Sequence, residues 1–176
     1  EDKLTAQQQE NEKIITLEND VFRIQLTNRG GTILQATLKE YDGQDGNVQL
    51  FPQRAVGNLG ISFGTQASDS IVTSRYIFDT NAPSTISVGE NPKTVAFTLD
   101  FGGNRKLVKT YTFFRDRYDV LLNVELVNLE NVISDKRYFL SAPNGLTPSE
   151  ENVKEDLTYN KAGVSAGSDI DKGFKA

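Results

Sequence analysis

"TVAFTLDFGGNRKLVKTYTFFRDRYDVLLNVELVN", Thr94 to Asn128, decides the fold. Apolar residues recur at every second position: Val95, Phe97, Leu99 and Phe101 fall on one face of the first run. Gly102-Gly103-Asn104 supplies residues that tolerate positive φ, as a tight hairpin requires. Lys106 to Phe114 then runs back, and Tyr118, Val120, Leu122, Val124 and Leu126 align in a third run. A period of two held over three long segments predicts an antiparallel meander with one face on a core. Phe97 and Val124 are both expected in that core.

The same period continues upstream. Ile14 to Glu18 is the expected first strand, and Asn19-Asp20 has the chemistry of a turn. Phe22, Ile24 and Leu26 then share one face opposite Arg23, Gln25 and Thr27, so Ile14 to Thr27 reads as a hairpin. In "TILQATL", Leu34, Ala36 and Leu38 alternate against Ile33, Gln35 and Thr37. Shorter strand-like runs lie at Val48–Phe51, Leu59–Phe63, Arg75–Asp79, Ser84–Val88 and Arg137–Ser141.

Between the second and third runs stands "NRGG", Asn28 to Gly31. One glycine serves a turn. The second is expected either to let the backbone pass close to a neighbouring strand or to form a bulge where the chain changes sheet. No pattern in the sequence makes it a ligand loop.

Residues 1–13, "EDKLTAQQQENEK", are polar and read as a linker ahead of a domain covering 14–176. Thr147-Pro148-Ser149-Glu150 has the capping-box pattern with proline at the first helical position, so at most one short helix is expected near residues 148–157. Asn160 to Ala176 is rich in Gly, Ser, Lys and Asp and carries no pattern for a closing core strand. The expected fold class is all-β, an antiparallel β-sandwich.

Composition narrows the chemistry. The chain has no cysteine and no histidine, which removes disulfides, thiolate catalysis, Ser-His-Asp triads and imidazole-bound metals. The absence of methionine, even at position 1, points to a chain cut from something longer or processed. Nineteen basic residues are scattered among 24 acidic ones for a net charge of −5, which argues against nucleic acid as a partner. No apolar run approaches the roughly 18 residues of a spanning helix, and no signal-peptide core is present.

The candidate motifs have bland alternatives that fit better. "YDGQDGN", Tyr41 to Asn47, imitates a calcium loop, but with Gly46 in the sixth position the first ligand would be Tyr41 and the twelfth Pro52. An Asp/Gly turn is preferred. "GGNRK", Gly102 to Lys106, could cradle an anion, yet it sits where a hairpin needs its turn. The carboxylate pairs Glu150/Glu151, Glu155/Asp156 and Asp169/Asp171 lie in polar stretches where solvated charge is the default, not glycosidase geometry. Tyr111, Phe113 and Tyr118 could stack on sugars but stand at alternating strand positions. The sequence therefore singles out no catalytic, cofactor-binding or metal-binding residue and assigns no interaction residues.

The order of segments carries more than any one of them. "ITLENDVFRIQLTNRGGTILQATLKEY" resembles the opening of the large periplasmic domain of YidC-family membrane protein insertases: an extended segment, a turn, a strand ending in Gly-Gly, and an amphipathic strand closing on Leu-x-x-Tyr, Leu38 to Tyr41. "KTYTFFRDRYDVLLNVELVN" is similar to that family's Lys-x-aromatic-x-Phe strand, its Arg-x-x-Tyr turn and a long strand ending in Asn. Those positions are Lys109, Tyr111, Phe113, Arg115, Tyr118 and Asn128, with Phe101-Gly102-Gly103 just ahead.

This resemblance implies a β-supersandwich of galactose-mutarotase-like topology, of which the chain is either a fragment or a shortened version. It implies no enzyme activity and no cofactor. The module would lie on the periplasmic side of the bacterial inner membrane, joined to the transmembrane insertase part of the same polypeptide. The partners it implies are the accessory proteins SecD and SecF, the Sec translocon and nascent membrane proteins. Because the same architecture occurs in sugar-binding proteins, a non-catalytic carbohydrate-binding module is the alternative. Mutarotase catalysis is excluded with histidine.

Overall fold

The computed structural model describes residues 12–43, 46–52, 57–148, 162–166 and 169–174. The chain opens on β1 (Ile14–Glu18) and β2 (Phe22–Thr27), then the long β3 (Thr32–Gly43) and β4 (Gly46–Gln49). Short strands follow: β5 (Gly60–Gly64), β6 (Ser70–Val72) and β7 (Thr85–Ser87). The meander is β8 (Lys93–Gly102), β9 (Arg105–Phe113) and β10 (Leu121–Val127), followed by β11 (Phe139–Ser141), β12 (Ala162–Ala166) and β13 (Asp169–Phe174).

These strands form a five-stranded sheet in the order β4-β3-β2-β1-β7 and two three-stranded sheets, β10-β9-β8 and β11-β5-β6. Every ladder is antiparallel except β1 with β7, which is parallel. The first sheet lays Ile15, Leu17, Phe22, Ile24 and Leu26 onto Val95, Phe97, Leu99, Leu107, Tyr111 and Phe113 of the meander, and Ile61 and Phe63 of β5 join them. Phe22 meets Phe113 edge to face across the interface at 6.3 Å. The all-β sandwich expected from the alternation is the observed architecture.

The hairpins follow their turn chemistry. Gly102 pairs with Arg105, leaving Gly103 (φ 60°) and Asn104 (φ 63°) as a two-residue loop with both φ values positive. In the β1–β2 turn, the Asn19 side-chain oxygen accepts from the amides of Val21 and Phe22 at 3.0 and 2.6 Å. These two bonds close the turn locally and fix the register of both strands.

Three expectations need correction. Leu34 does not alternate with Ala36 and Leu38: Gln25 pairs with Gln35 and Leu26 with Ile33, so Leu34 bulges out of the ladder. The extra residue turns Ile33 inward, where it is buried, and leaves Leu34 half-buried. Arg75–Asp79 is not a strand of any sheet. A single 3-10 turn at Thr73–Arg75 leads into an extended strut, in which Ile77 bridges to Arg29 and Asp79 to Thr98. Val124, on β10 at one edge of its sheet, is only half-buried.

The tail carries backbone pairing that the composition hid, since β12 and β13 form a two-stranded ladder with each other. The expected helix near 148–157 lies outside the described residues after Pro148. The linker expected at 1–13 lies outside them up to residue 11. Glu12 and Lys13 are already tied down: the Lys13 amide donates to Asn28 Oδ1 at 2.7 Å, and Glu12 pairs with Arg29 at 3.3 Å.

The glycine pair has a separate reason at each position. Gly30 (φ 71°) runs so close to the 3-10 turn that a Cβ there would stand 2.8 Å from Ser74 Cα. At Gly31 (φ 54°) a Cβ would stand 3.0 Å from Cβ of Phe97 on β8. The second glycine thus permits the close approach to a neighbouring strand. Gly31→Val is expected to lower thermal stability sharply through both the clash and the left-handed backbone, while Gly103→Ala, with no near neighbour in the way, should cost less. Phe97→Ala should cost about 3–5 kcal/mol by cavity formation, and Val124→Asp on the open edge less, with chemical denaturation giving the comparison.

Candidate functional site

β9 alternates strictly, and its inward positions are Leu107, Lys109, Tyr111 and Phe113. A lysine in that phase must bury its ammonium or break the strand. Lys109 is fully buried, and its Nζ donates to the carbonyls of Gly30 (3.1 Å), Gly31 (2.5 Å) and Leu59 (2.7 Å). Three N–H groups meet three carbonyl oxygens, so the ammonium's donors are all used. The Tyr111 hydroxyl donates to the Gly31 carbonyl as well, at 2.7 Å. Burial pushes the Lys109 ammonium down to about 7, with the three carbonyls working against that shift, and pushes the Tyr111 phenol up.

This cluster is closed. The glycine carbonyls point at Lys109, and the amide of Gly30 is taken by the Tyr76 carbonyl at 2.8 Å. "RGG" therefore joins the two sheets through its main chain and offers little to a ligand.

Two other surfaces are open. A trough of about 450 Å3 crosses the outer face of the five-stranded sheet, lined by Glu18, Arg23, Gln25, Gln35, Thr37, Lys39, Asn47 and Gln49. Its groups largely answer one another: Gln35 and Thr37 both donate to Gln49 Oε1, at 2.7 and 2.8 Å. Lys39 pairs with Glu18 at 2.6 Å, and its hydrogen bond and charge hold the Glu18 carboxyl below the usual range. Such a face offers neutral amides, a paired charge and the Arg23 guanidinium, suited to polar recognition without proton transfer.

The second surface is a groove of about 270 Å3 at the end of β10. Leu126, Leu129, Ile133 and Tyr138 form its walls, with Glu130 and Lys136 at hand. It continues an apolar region in which Tyr138, Phe139 and Leu140 are each about half exposed or more. A groove of this kind can desolvate an apolar side chain while its charges fix orientation.

The motifs weighed from sequence separate accordingly. "YDGQDGN" joins β3 to β4, with Gly43 paired to Gly46 around residues outside the description. "GGNRK" is the β8–β9 turn, in which Arg105 donates to the carbonyls of Gly102 and Phe101 of its own hairpin. Tyr111 and Phe113 are core, and Tyr118 is exposed. Glu150/Glu151 and Glu155/Asp156 lie outside the described residues, and Asp169 and Asp171 are on β13. Lys109 was visible in the sequence only as part of a strand motif; the signal that marks it is a cation in phase with buried residues.

Comparison with known proteins gives a consistent result. A family model described as the YidC periplasmic domain matches residues 14–172. Among curated relatives, the membrane protein insertase YidC of Chlorobium phaeovibrioides is 31% identical over 161 residues, covering 90% of this chain and 28% of the relative. The insertase of Prosthecochloris aestuarii is 29% identical over 162 residues, with the same coverage. That of Chlorobaculum parvum is 28% identical over 149 residues, covering 82% of the chain and 25% of the relative. The chain thus spans about 28% of the length of the first two.

Lys109→Met should cost about 3 kcal/mol, since the carbonyls of Gly30 and Leu59 lose a buried donor. Its pH signature separates it from an ordinary cavity. The unfolded chain holds this proton up to the ordinary lysine pKa of roughly 10.4, whereas the folded chain releases it above about 7. The stability contributed by this group therefore rises with pH between those limits. Denaturant midpoints from pH 7 to 10 should show wild type gaining on Lys109→Met; parallel curves would exclude the shift.

Proposed function

The chain belongs to the YidC periplasmic domain family, and from that membership we propose that it is a non-catalytic interaction module of a membrane protein insertase. In this reading it stands on the periplasmic side of the bacterial inner membrane, continuous with the membrane-embedded part of the same polypeptide. It contacts the periplasmic portions of SecD and SecF or emerging membrane proteins. The membrane-embedded part performs insertion, and this domain contributes surface.

The observation that carries the reading is the match over residues 14–172. The chemistry of the domain supports it. Among the described residues the one buried cation is spent on backbone carbonyls that join the sheets, and histidine and cysteine are absent from the sequence. What remains accessible is recognition surface, above all the apolar groove of Leu126, Leu129, Ile133 and Tyr138. The polar trough gives a second, sugar-binding reading a candidate surface, and the lack of an aromatic side chain lining it weighs against stacking on a sugar ring.

The test is retention of purified SecD and SecF periplasmic domains on the immobilised domain. Retention is expected at low salt and should fall severalfold for Lys136→Glu combined with Tyr138→Ala, both at the groove. No retention of either protein would remove the Sec contact. Saturable shifts of Gln35 and Gln49 side-chain amides on titration with a sugar panel would favour the sugar reading instead.

A further inference from the structure

The two tyrosines that close the sequence motifs meet on the surface. Tyr41, near the end of β3, and Tyr118, between β9 and β10, pack edge to face with centroids 5.8 Å apart, yet they are 53% and 41% exposed. The Tyr118 hydroxyl donates to Glu40 Oε2 at 2.8 Å. Successive residues of a regular strand face opposite ways, but the β3–β4 register is irregular between Thr37 and Asp42. Glu40 and Tyr41, within that interval, both reach Tyr118.

Nearby cations are already committed. Lys39 pairs with Glu18, Arg115 with Asp20, and Arg117 forks onto both oxygens of Asp119. Among the described residues no cation pairs with Glu40. An unpaired carboxylate with one oxygen open, beside two exposed aromatic rings, is complementary to a cation that can stack and donate at once. The domain already contains that arrangement within itself: the Arg117 guanidinium lies 4.4 Å from the Phe114 ring centroid while gripping Asp119.

We propose that Glu40, Tyr41 and Tyr118 form a docking site for an arginine side chain of a protein partner, its guanidinium stacked on the tyrosine pair and donating to Glu40 Oε1. The planar fork is the feature that selects arginine. A quaternary ammonium can meet the rings but has no N–H for the open oxygen, and a lysine ammonium lacks the flat face that stacks. The net charge of −5 favours approach of a basic partner. Partial burial and then the neighbouring Glu40 carboxylate push the Tyr118 phenol up to about 12, so it remains a donor to Glu40 throughout the physiological range.

The inference goes beyond the insertase reading, and its test does not depend on it. Titrate the domain with a capped arginine amide and follow the Tyr41 and Tyr118 ring resonances by NMR. A saturable shift is expected, weakened about fivefold in Glu40→Gln by loss of an exposed ion pair and lost in Tyr118→Ala. All three residues are on the surface, so the unchanged methyl spectra of the variants serve as the folding control. Equal shifts in wild type and Glu40→Gln, or a stronger response to tetramethylammonium than to arginine, would overturn the site.

Vesicles with ethanolamine headgroups provide the second arm. Binding to them that depends on Glu40 and exceeds the arginine response would assign the site to lipid and refute the proposal. Retention of SecD or SecF that Glu40→Gln leaves unchanged would remove this site from that contact while leaving the insertase reading intact.

Discussion

One buried ammonium holds the two sheets in register with each other. Lys109 belongs to the middle strand of the meander, while its three acceptors come from the β2–β3 turn and from the residue leading into β5. A cation in an apolar interior is costly unless its donors are met in full, and here they are met by main chain alone. The carbonyls of Gly30 and Gly31 converge on one point, and both residues adopt positive φ. The glycines and the lysine are thus two halves of one junction. Tyr111, two residues along the same strand, adds a further bond to the Gly31 carbonyl.

Around this junction the remaining connections are also backbone bonds between elements that share no ladder. The strut after the 3-10 turn donates from Phe78 to the Asn28 carbonyl, and Asp79 and Thr98 exchange bonds in both directions at 2.8 and 2.9 Å. The same few residues therefore tie the glycine turn to β8 and the core at once. With its main-chain groups consumed inside, the domain presents side chains to the outside: a polar face on one sheet and an apolar groove at the edge of another. That division suits the interaction role proposed for the domain.

Much of this was legible in the sequence because it is local. Period-two alternation placed Val95, Phe97 and Leu99 inward, and Gly102-Gly103-Asn104 marked a turn that only residues tolerant of positive φ can make. The glycine pair announced unusual backbone, though nothing local could say that Phe97 was the neighbour. The failures are all tertiary. The bulge at Leu34 changes which face Ile33 shows without altering the composition of the strand. Arg75–Asp79 has strand residues but spends its hydrogen bonds on two different elements, so no ladder forms. Val124 alternates correctly yet stays half-exposed, because exposure depends on what packs over that face of β10 and not on the alternation itself. Recognition surfaces were the least legible, since Glu40 and Tyr118 become one feature only after 78 residues of chain have folded back.

The position of β1 has a mechanical consequence. It lies inside its sheet and not at the edge, bonded to β2 on one side and running parallel to β7 on the other, with Thr16 donating to Ser84 and Val88 to Glu18. Tension applied ahead of Ile14 and directed along the strand acts along both ladders together, so their hydrogen bonds must shear as a group and cannot unzip one at a time. A tether entering there transmits force to the whole sandwich as to a rigid handle, and the domain follows the motion of whatever it is attached to before it yields.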